Sequence, residues 1–268
     1  MTALTNIQEF KLRFISTALL SSIFILLFYL GNPFFSIFFS LIFSLIFFEY
    51  ERLISIIPKK LQIFKIVLLQ IILLSFTTIE IYKLNFFSMF ISNYVIFLVI
   101  SFFINIIFSI NVKMTFINFA LSNLIIFSFF SLIAILQKEN GLYVILYVVI
   151  LVSTMDVSAY LGGKSFGKRK IIPKISKGKT IEGTVIGLFM TTIISYLIRD
   201  LTNFTVFYSV MYGFMIGIIA FFGDLLESVF KRNIGVKDSG KLIPGHGGLL
   251  DRFDGYFLVL PLFYISIN

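Results

Sequence analysis

The side chains of this 268-residue chain that could do chemistry are gathered in its second half, embedded in or joined to long apolar runs. Asp156 lies inside LYVILYVVILVSTMDVSAYLGG, and Asp224 sits late in FMIGIIAFFGDLLESVF. A carboxylate at the centre of a membrane helix costs about 2.5–3.5 kcal/mol on insertion scales, so each should either meet a partner or serve a site. Glu227 follows Asp224 by three residues and precedes Lys231 by four, which sets all three along one helical face. The plainest reading of Glu227 with Lys231 is an i,i+4 ion pair.

Two polar loops accompany these acids. Loop 163–182, within GGKSFGKRKIIPKISKGKTIEG, is dense in Gly and Lys and suggests a cradle for phosphate. It is not a P-loop, because the first glycine of GxxxxGK[ST] would fall on Pro173 for one alignment and on Ser158 for the other. Without that backbone nest, Ser176, Lys177, Lys179 and Thr180 can still meet phosphate oxygens as donors and point charges. Loop 228–255 is the more specific of the two and carries Ser228, Lys231, Arg232, Lys237, Asp238, His246, Asp251, Arg252 and Asp254. Asp251 and Asp254, three apart, would project from one helical face and could hold Mg²⁺ with water and substrate phosphate completing its shell. The glycines around His246 permit unusual backbone angles and close approach of a ligand.

The elements that must position these groups are membrane helices. The chain is 59% hydrophobic and 13% charged, against roughly 25% charged in an ordinary soluble domain. Runs of spanning length cover residues 14–31, 34–49, 62–82, 87–110, 114–136, 141–162, 183–198, 204–223 and 256–267. They lack strand alternation, so the expected fold is all-α and polytopic, with about nine transmembrane helices. The basic layout before the first run, Lys11 and Arg13, resembles a signal peptide, but the run is long and is read as an uncleaved helix. With the N-terminus in the cytoplasm, every Lys and Arg except Lys83, Lys138 and Arg199 falls on the inner side, which agrees with an odd number of spans. That placement also explains the net charge of +9 without nucleic acid, since basic inner loops orient the chain and meet anionic lipid.

Residues 1–140 then serve as an anchor or scaffold, and 141–268 as a catalytic region. In the first part only Glu80 is an acid deep enough to raise a question, and it is read as interfacial. The absence of Cys excludes thiol nucleophiles and thiolate metal sites, and a single His excludes the usual zinc set, leaving a hard cation on carboxylates.

The stretch Ser228, Lys231, Arg232, Lys237, Asp238, Pro244, His246, Gly247, Gly248, Asp251, Arg252 and Asp254 resembles the signature of the phosphatidate cytidylyltransferases, or CDP-diacylglycerol synthases. Asp156, Ala159, Tyr160 and 163–168 resemble the family's DxxAYxxG and FGK elements, and 179–183, with Glu182, its KTxEG element. Where the family has Ser-Pro-Lys-Lys-Thr this chain has Ser176, Lys177, Gly178, Lys179, Thr180. The resemblance covers 150–256. It implies condensation of CTP, or dCTP, with phosphatidic acid at the cytoplasmic face of the cell inner membrane, releasing pyrophosphate and using Mg²⁺, with a second cation left open. It makes Asp224 and Asp251 the metal ligands, with Asp156 a third. Asp224, Asp251, Lys237, Asp238, His246, Arg252 and Asp254 become the catalytic set. Ser176, Lys177, Lys179, Thr180, Glu182, Ser228, Lys231 and Arg232 become the substrate-binding set. Membrane lipids are the surroundings, and a homodimer is left open.

Other classes fit less well. A CDP-alcohol phosphotransferase wants DGxxAR, whereas Asp254 and Gly255 precede Tyr256, Phe257 and Leu258; a CTP-dependent polyprenol kinase is a further lipid phosphotransferase. A transporter would use Asp156 and Asp224 along an ion path, but would place its polar groups at the midplane between repeats.

Overall fold

A computed structural model describes residues 2–54 and 112–268, apart from 174, 177, 241, 244–246 and 268, together with positions 67, 70, 71, 73, 74 and 77. Seven of the nine expected spans coincide with helices of this structure: α1 (Thr2–Leu30), α2 (Asn32–Ile54), α3 (Val112–Leu136), α4 (Gly141–Phe166), α5 (Ile181–Leu197), α6 (Val206–Asn233) and α8 (Tyr256–Ser266). A 3₁₀ turn, Arg199–Leu201, and the short α7, Leu250–Phe253, complete the order. The runs 62–82 and 87–110 lie outside the described residues, apart from those isolated positions in the first, and Glu80 lies outside them too. Among the described residues α2, α4 and α6 are each long and apolar enough to cross a membrane, and shorter apolar helices cover Phe14–Leu30, Ala120–Leu136 and Ile181–Leu197. Among the described residues, isolated bridges pair Lys170 with Thr180 and Ile243 with Gly247.

The chain divides into two compact units, one of 1–129 with 238–251 and the other of 130–237 with 252–268. In the first unit α2 is apolar on all sides, so periodicity does not reveal which face is inside. The structure does: Phe35, Phe39, Phe43, Ile46, Phe47 and Tyr50 are buried, with Phe35 against Phe24 of α1 and Phe43 against Phe129 of α3. A row of small hydroxyls runs along the same helix. Ser36 donates to Asn32 Oδ1 one turn earlier in the same helix at 3.0 Å, while Ser44 reaches beyond α2 to pair with Gln70. Such groups hold membrane helices together where apolar burial offers no preference between protein and lipid.

In the second unit α4, α5, α6 and α8 pack into a bundle. One end is closed by Tyr147, whose hydroxyl pairs with Ser195, while Ser195 donates to the Ser209 carbonyl. Tyr147, Phe204, Tyr212 and Phe263 meet there ring to ring. Asp156 lies nine residues further along α4, roughly 13 Å away at the helical rise.

Candidate functional site

The second unit holds a cavity of about 270 Å³ lined by Asp156 and Tyr160 of α4, Ser176, Lys179 and Thr180 of the loop, and Phe221 and Asp224 of α6. Its shape begins with local sequence. Thr180 has extended backbone angles and its Oγ1 accepts the Gly183 N–H at 3.2 Å, so it is the N-cap that starts α5. Glu182, one residue too early for a capping box, turns instead to the loop and accepts the Lys168 and Arg169 N–H groups at 3.0 and 3.2 Å. Those bonds hold the carboxyl of Glu182 below its ordinary value. The bonds Ile171 N–H to Lys179 O at 3.1 Å and Ile181 N–H to Arg169 O at 2.9 Å fold the loop back on itself.

Gly183 lets α5 approach α4 so closely that a Cβ there would lie 2.5 Å from the Ala159 carbonyl oxygen. The KTxEG element thus sets a capped helix start against α4, one turn beyond Asp156.

Lys179 is the electrostatic centre of the cavity. Its ammonium lies 2.7 Å from Asp224 Oδ2 and 4.9 Å from the centroid of the Phe221 ring, an arrangement in which a cation is stabilised by a carboxylate and a π face together. Ser228, one turn on along α6, donates to Asp224 Oδ1 at 3.3 Å. Asp156 feels the charges of Asp224, Lys179 and Arg252. Burial, followed by the carboxylates of Asp224, Glu227 and Asp156, pushes Asp254 well above the usual carboxylate range. Its Oδ1 accepts the Gly255 N–H at 2.7 Å.

The donor set suits a hard cation. Two carboxylates and the hydroxyls of Ser176 and Thr180 face one space, and all of them are oxygen ligands of the kind that Mg²⁺ takes. Among the described residues no group of three or more acids or imidazoles is placed to hold a metal, so water and phosphate oxygens would complete such a shell.

A family model described as the Cytidylyltransferase family matches residues 11–268. The chain belongs to the cytidylyltransferase family. It is 44% identical over 132 residues to a protein of Staphylococcus aureus (strain COL) named phosphatidate cytidylyltransferase, covering 48% of this chain and 51% of that one. A Haemophilus influenzae protein of the same name is 45% identical over 130 residues, 46% of this chain and 45% of the relative. Escherichia coli (strain K12) has a relative, "Uncharacterized protein YnbB", 44% identical over 131 residues, 48% and 44% of the two chains. These matches span about half the length of the curated relatives.

Within this cytidylyltransferase-family chain, the expected site residues separate by position. Asp156, Ser176, Lys179, Thr180 and Asp224 share the cavity, and Ser228 reaches it through Asp224. Glu227 and Lys231 form the i,i+4 pair read from their spacing, 2.6 Å apart and both buried. Arg232 Nε donates to Ile175 O at 3.2 Å and its Nη1 to Val236 O at 2.8 Å, tying the end of α6 to the 163–182 loop. Lys237 and Arg252 are exposed.

Asp238 and Asp251 belong to the first unit. Asp238 is exposed. Asp251 accepts the Ser239 N–H on both oxygens, at 3.1 and 3.0 Å, and the Gly248 N–H at 3.1 Å. Gly247, with φ near +90°, takes the left-handed angle anticipated for the glycines around His246. Lys177 and His246 themselves lie outside the described residues. Sequence reasoning passed over Glu49, which is 4% exposed near the C-terminal end of α2. A carboxylate beside a span end is ordinarily interfacial, and nothing in FFEYERL marks it otherwise.

Proposed function

We infer that this chain is a phosphatidate cytidylyltransferase, transferring the cytidylyl group of CTP or dCTP to phosphatidic acid with release of pyrophosphate. The observation that carries the reading is the cavity in which Asp156, Asp224, Lys179, Ser176 and Thr180 converge, built from segments that match the family's motifs. The names of the Staphylococcus and Haemophilus relatives point the same way.

A phosphate oxygen of phosphatidic acid is already an anion near neutral pH, so the attack on the α-phosphorus of CTP needs no strong base. Positioning and charge neutralisation carry the barrier instead. The nucleophilic oxygen forms the new P–O bond as the bond from the α-phosphorus to the bridging oxygen breaks, and pyrophosphate takes that electron pair. Lys179 would leave Asp224 for a phosphate oxygen, and Ser176 and Thr180 would donate to the same group. On the sequence pattern Lys177, Arg232, Lys237, Arg252 and His246 add donors for the triphosphate and headgroup, whereas Lys231, read from the same pattern as substrate-binding, is committed to its buried pair with Glu227. Asp224 and Asp156, with Asp251 from the family signature, would hold Mg²⁺, which when bound orients and neutralises the phosphates.

The same reading places nine spans in the cell inner membrane with the N-terminus and both polar loops in the cytoplasm, so CTP need not cross the bilayer and the lipid phosphate stays at headgroup depth. The absence of Cys makes this easy to test with single-cysteine variants. In intact cells an impermeant thiol reagent should label Glu139→Cys and spare Lys164→Cys until the membrane is opened; the reverse pattern would invert the topology. Purified protein given phosphatidic acid, Mg²⁺ and CTP or dCTP should form the liponucleotide and lose that activity in EDTA. No product with either nucleotide would overturn the assignment.

A further inference from the structure

We propose that Glu49, in the helix otherwise read as membrane anchor, is a positioning residue for the Asp251 loop. The inference rests on the reading of Asp251 as a metal-binding carboxylate of a cytidylyltransferase. All of its observations lie within the first unit.

The Glu49 carboxylate is buried at the end of α2, and its partners come from both arms of the 238–251 segment. Its Oε2 accepts the Leu250 N–H at 2.9 Å and faces the Ser239 hydroxyl at 3.5 Å. Ser239 is held from the other side as well, because its backbone N–H is bound by Asp251. Two carboxylates therefore grip one loop: Asp251 takes the N–H groups of Ser239 and Gly248, and Glu49 takes the Ser239 hydroxyl and the N–H immediately before Asp251. The backbone that carries Asp251 is fixed at the preceding amide by a side chain some two hundred residues distant in sequence.

The second oxygen sharpens the point. Oε1 of Glu49 is buried and has no hydrogen-bond partner among the described residues, and it abuts Gly240 so closely that a Cβ there would lie 2.5 Å from it. A buried carboxylate costs free energy that its hydrogen bonds only partly offset. A side chain serving only to fill space or to close α2 would do better as Gln or Leu. A carboxylate with one oxygen committed to the loop and the other pressed on its glycine has the form of a group kept to orient a neighbour, as outer carboxylates orient metal ligands.

The test uses full-length protein purified in detergent, with Glu49→Gln, Glu49→Ala, Glu49→Asp, Gly240→Ala and the double variant Glu49→Ala with Gly240→Ala. Two readouts are taken. The first is hydrogen exchange of the peptide spanning 239–251. The second is the Mg²⁺ dependence of liponucleotide formation, with kcat and the KM for CTP determined separately.

Removal of Glu49 should speed exchange at Ser239 and Leu250 and raise the Mg²⁺ midpoint, with activity falling by about 10–100-fold while the KM for CTP stays within about twofold. Glu49→Asp should be intermediate. Gly240→Ala should reproduce the defect alone, yet add nothing in the Glu49→Ala background, where the space for its Cβ is vacated. A merely structural role would lower the active fraction without moving the Mg²⁺ midpoint, and that outcome overturns the proposal. So does parental exchange at 239–251 in Glu49→Ala. Should the parent form no liponucleotide, the functional reading falls and the exchange arm still decides whether Glu49 holds the loop. Should Glu49→Ala fail to fold, Glu49→Asp and Gly240→Ala decide it.

Discussion

Asp224 and Asp251 look interchangeable as acids of one family signature, yet their surroundings are of different kinds. Asp224 faces a cavity, and its partners are an ammonium ion and a hydroxyl carried on side chains. Asp251 is bound by backbone N–H groups of its own loop. A lysine can be exchanged for another cation at little cost to the fold, because the side chain simply swings away. Backbone N–H groups cannot leave without unmaking the loop. On the proposed function, the first carboxylate can trade partners during the reaction, and the second also organises the segment that presents it.

The comparison can be broken by substitution. Asp224→Asn and Asp251→Asn should each abolish liponucleotide formation, by at least about 10²–10³-fold as for loss of a preorganised charge-stabilising group. Only Asp251→Asn should also speed hydrogen exchange across 239–251. Equal loosening of that loop in both variants would remove the distinction. Lys179→Ala should cost about 10²-fold in kcat and leave Asp224 without its ammonium. Lys179→Arg, which keeps the charge but not the point geometry, should recover only part of it.

A third contrast concerns charge pairs that do not trade partners. Glu227 and Lys231 are both buried and 2.6 Å apart. Lys231→Met should lower stability in detergent by about 3–5 kcal/mol, since it removes one member of a buried ion pair. Adding Glu227→Gln should return most of the loss, as read from the thermal midpoint.

The smallest effect belongs to Glu182, whose folded carboxyl sits below its ordinary value of 4.5 because it accepts backbone N–H groups. A depressed acid contributes stability above its unfolded pKa and loses it as pH falls through the folded one. Protection of the Lys168 and Arg169 amides, corrected for intrinsic exchange, should therefore be constant at neutral pH and decline only below about 4.5. Glu182→Gln should flatten that profile.

Much of this was legible without coordinates. Apolar length alone marked the helices, and the described ones coincide with the expected spans to within a few residues at most ends. Two ends depart further: α1 begins at Thr2, well before the expected start at 14, and α6 runs on to Asn233, so that Asp224, Glu227 and Lys231 lie on one continuous helix. The Glu227–Lys231 pair followed from spacing, because a helix brings i and i+4 together whatever surrounds it. The nomination of Asp156 and Asp224 followed from the cost of placing a carboxylate in an apolar run.

Other features had no sequence signal. That Lys179 and not another loop lysine meets Asp224 depends on the loop folding back through Ile171 and Ile181. That Glu182 binds the loop instead of closing a capping box depends on its falling one position early. Glu49 was invisible because a single acid at a span end is ordinarily interfacial, and its partners arise about two hundred residues later.

The sequence by itself determined that the chain is a helical membrane protein, which residues could bear charge in it, and the family whose signature it carries. Hydrophobic length and helical spacing are local properties, readable one segment at a time. Only the tertiary structure decided which charges meet: Lys179 with Asp224, Glu227 with Lys231 in a buried setting, and Glu49 with the backbone beside Asp251. A chain with apolar faces all round its helices leaves their rotation unspecified, and rotation is what selects the partner of each buried charge.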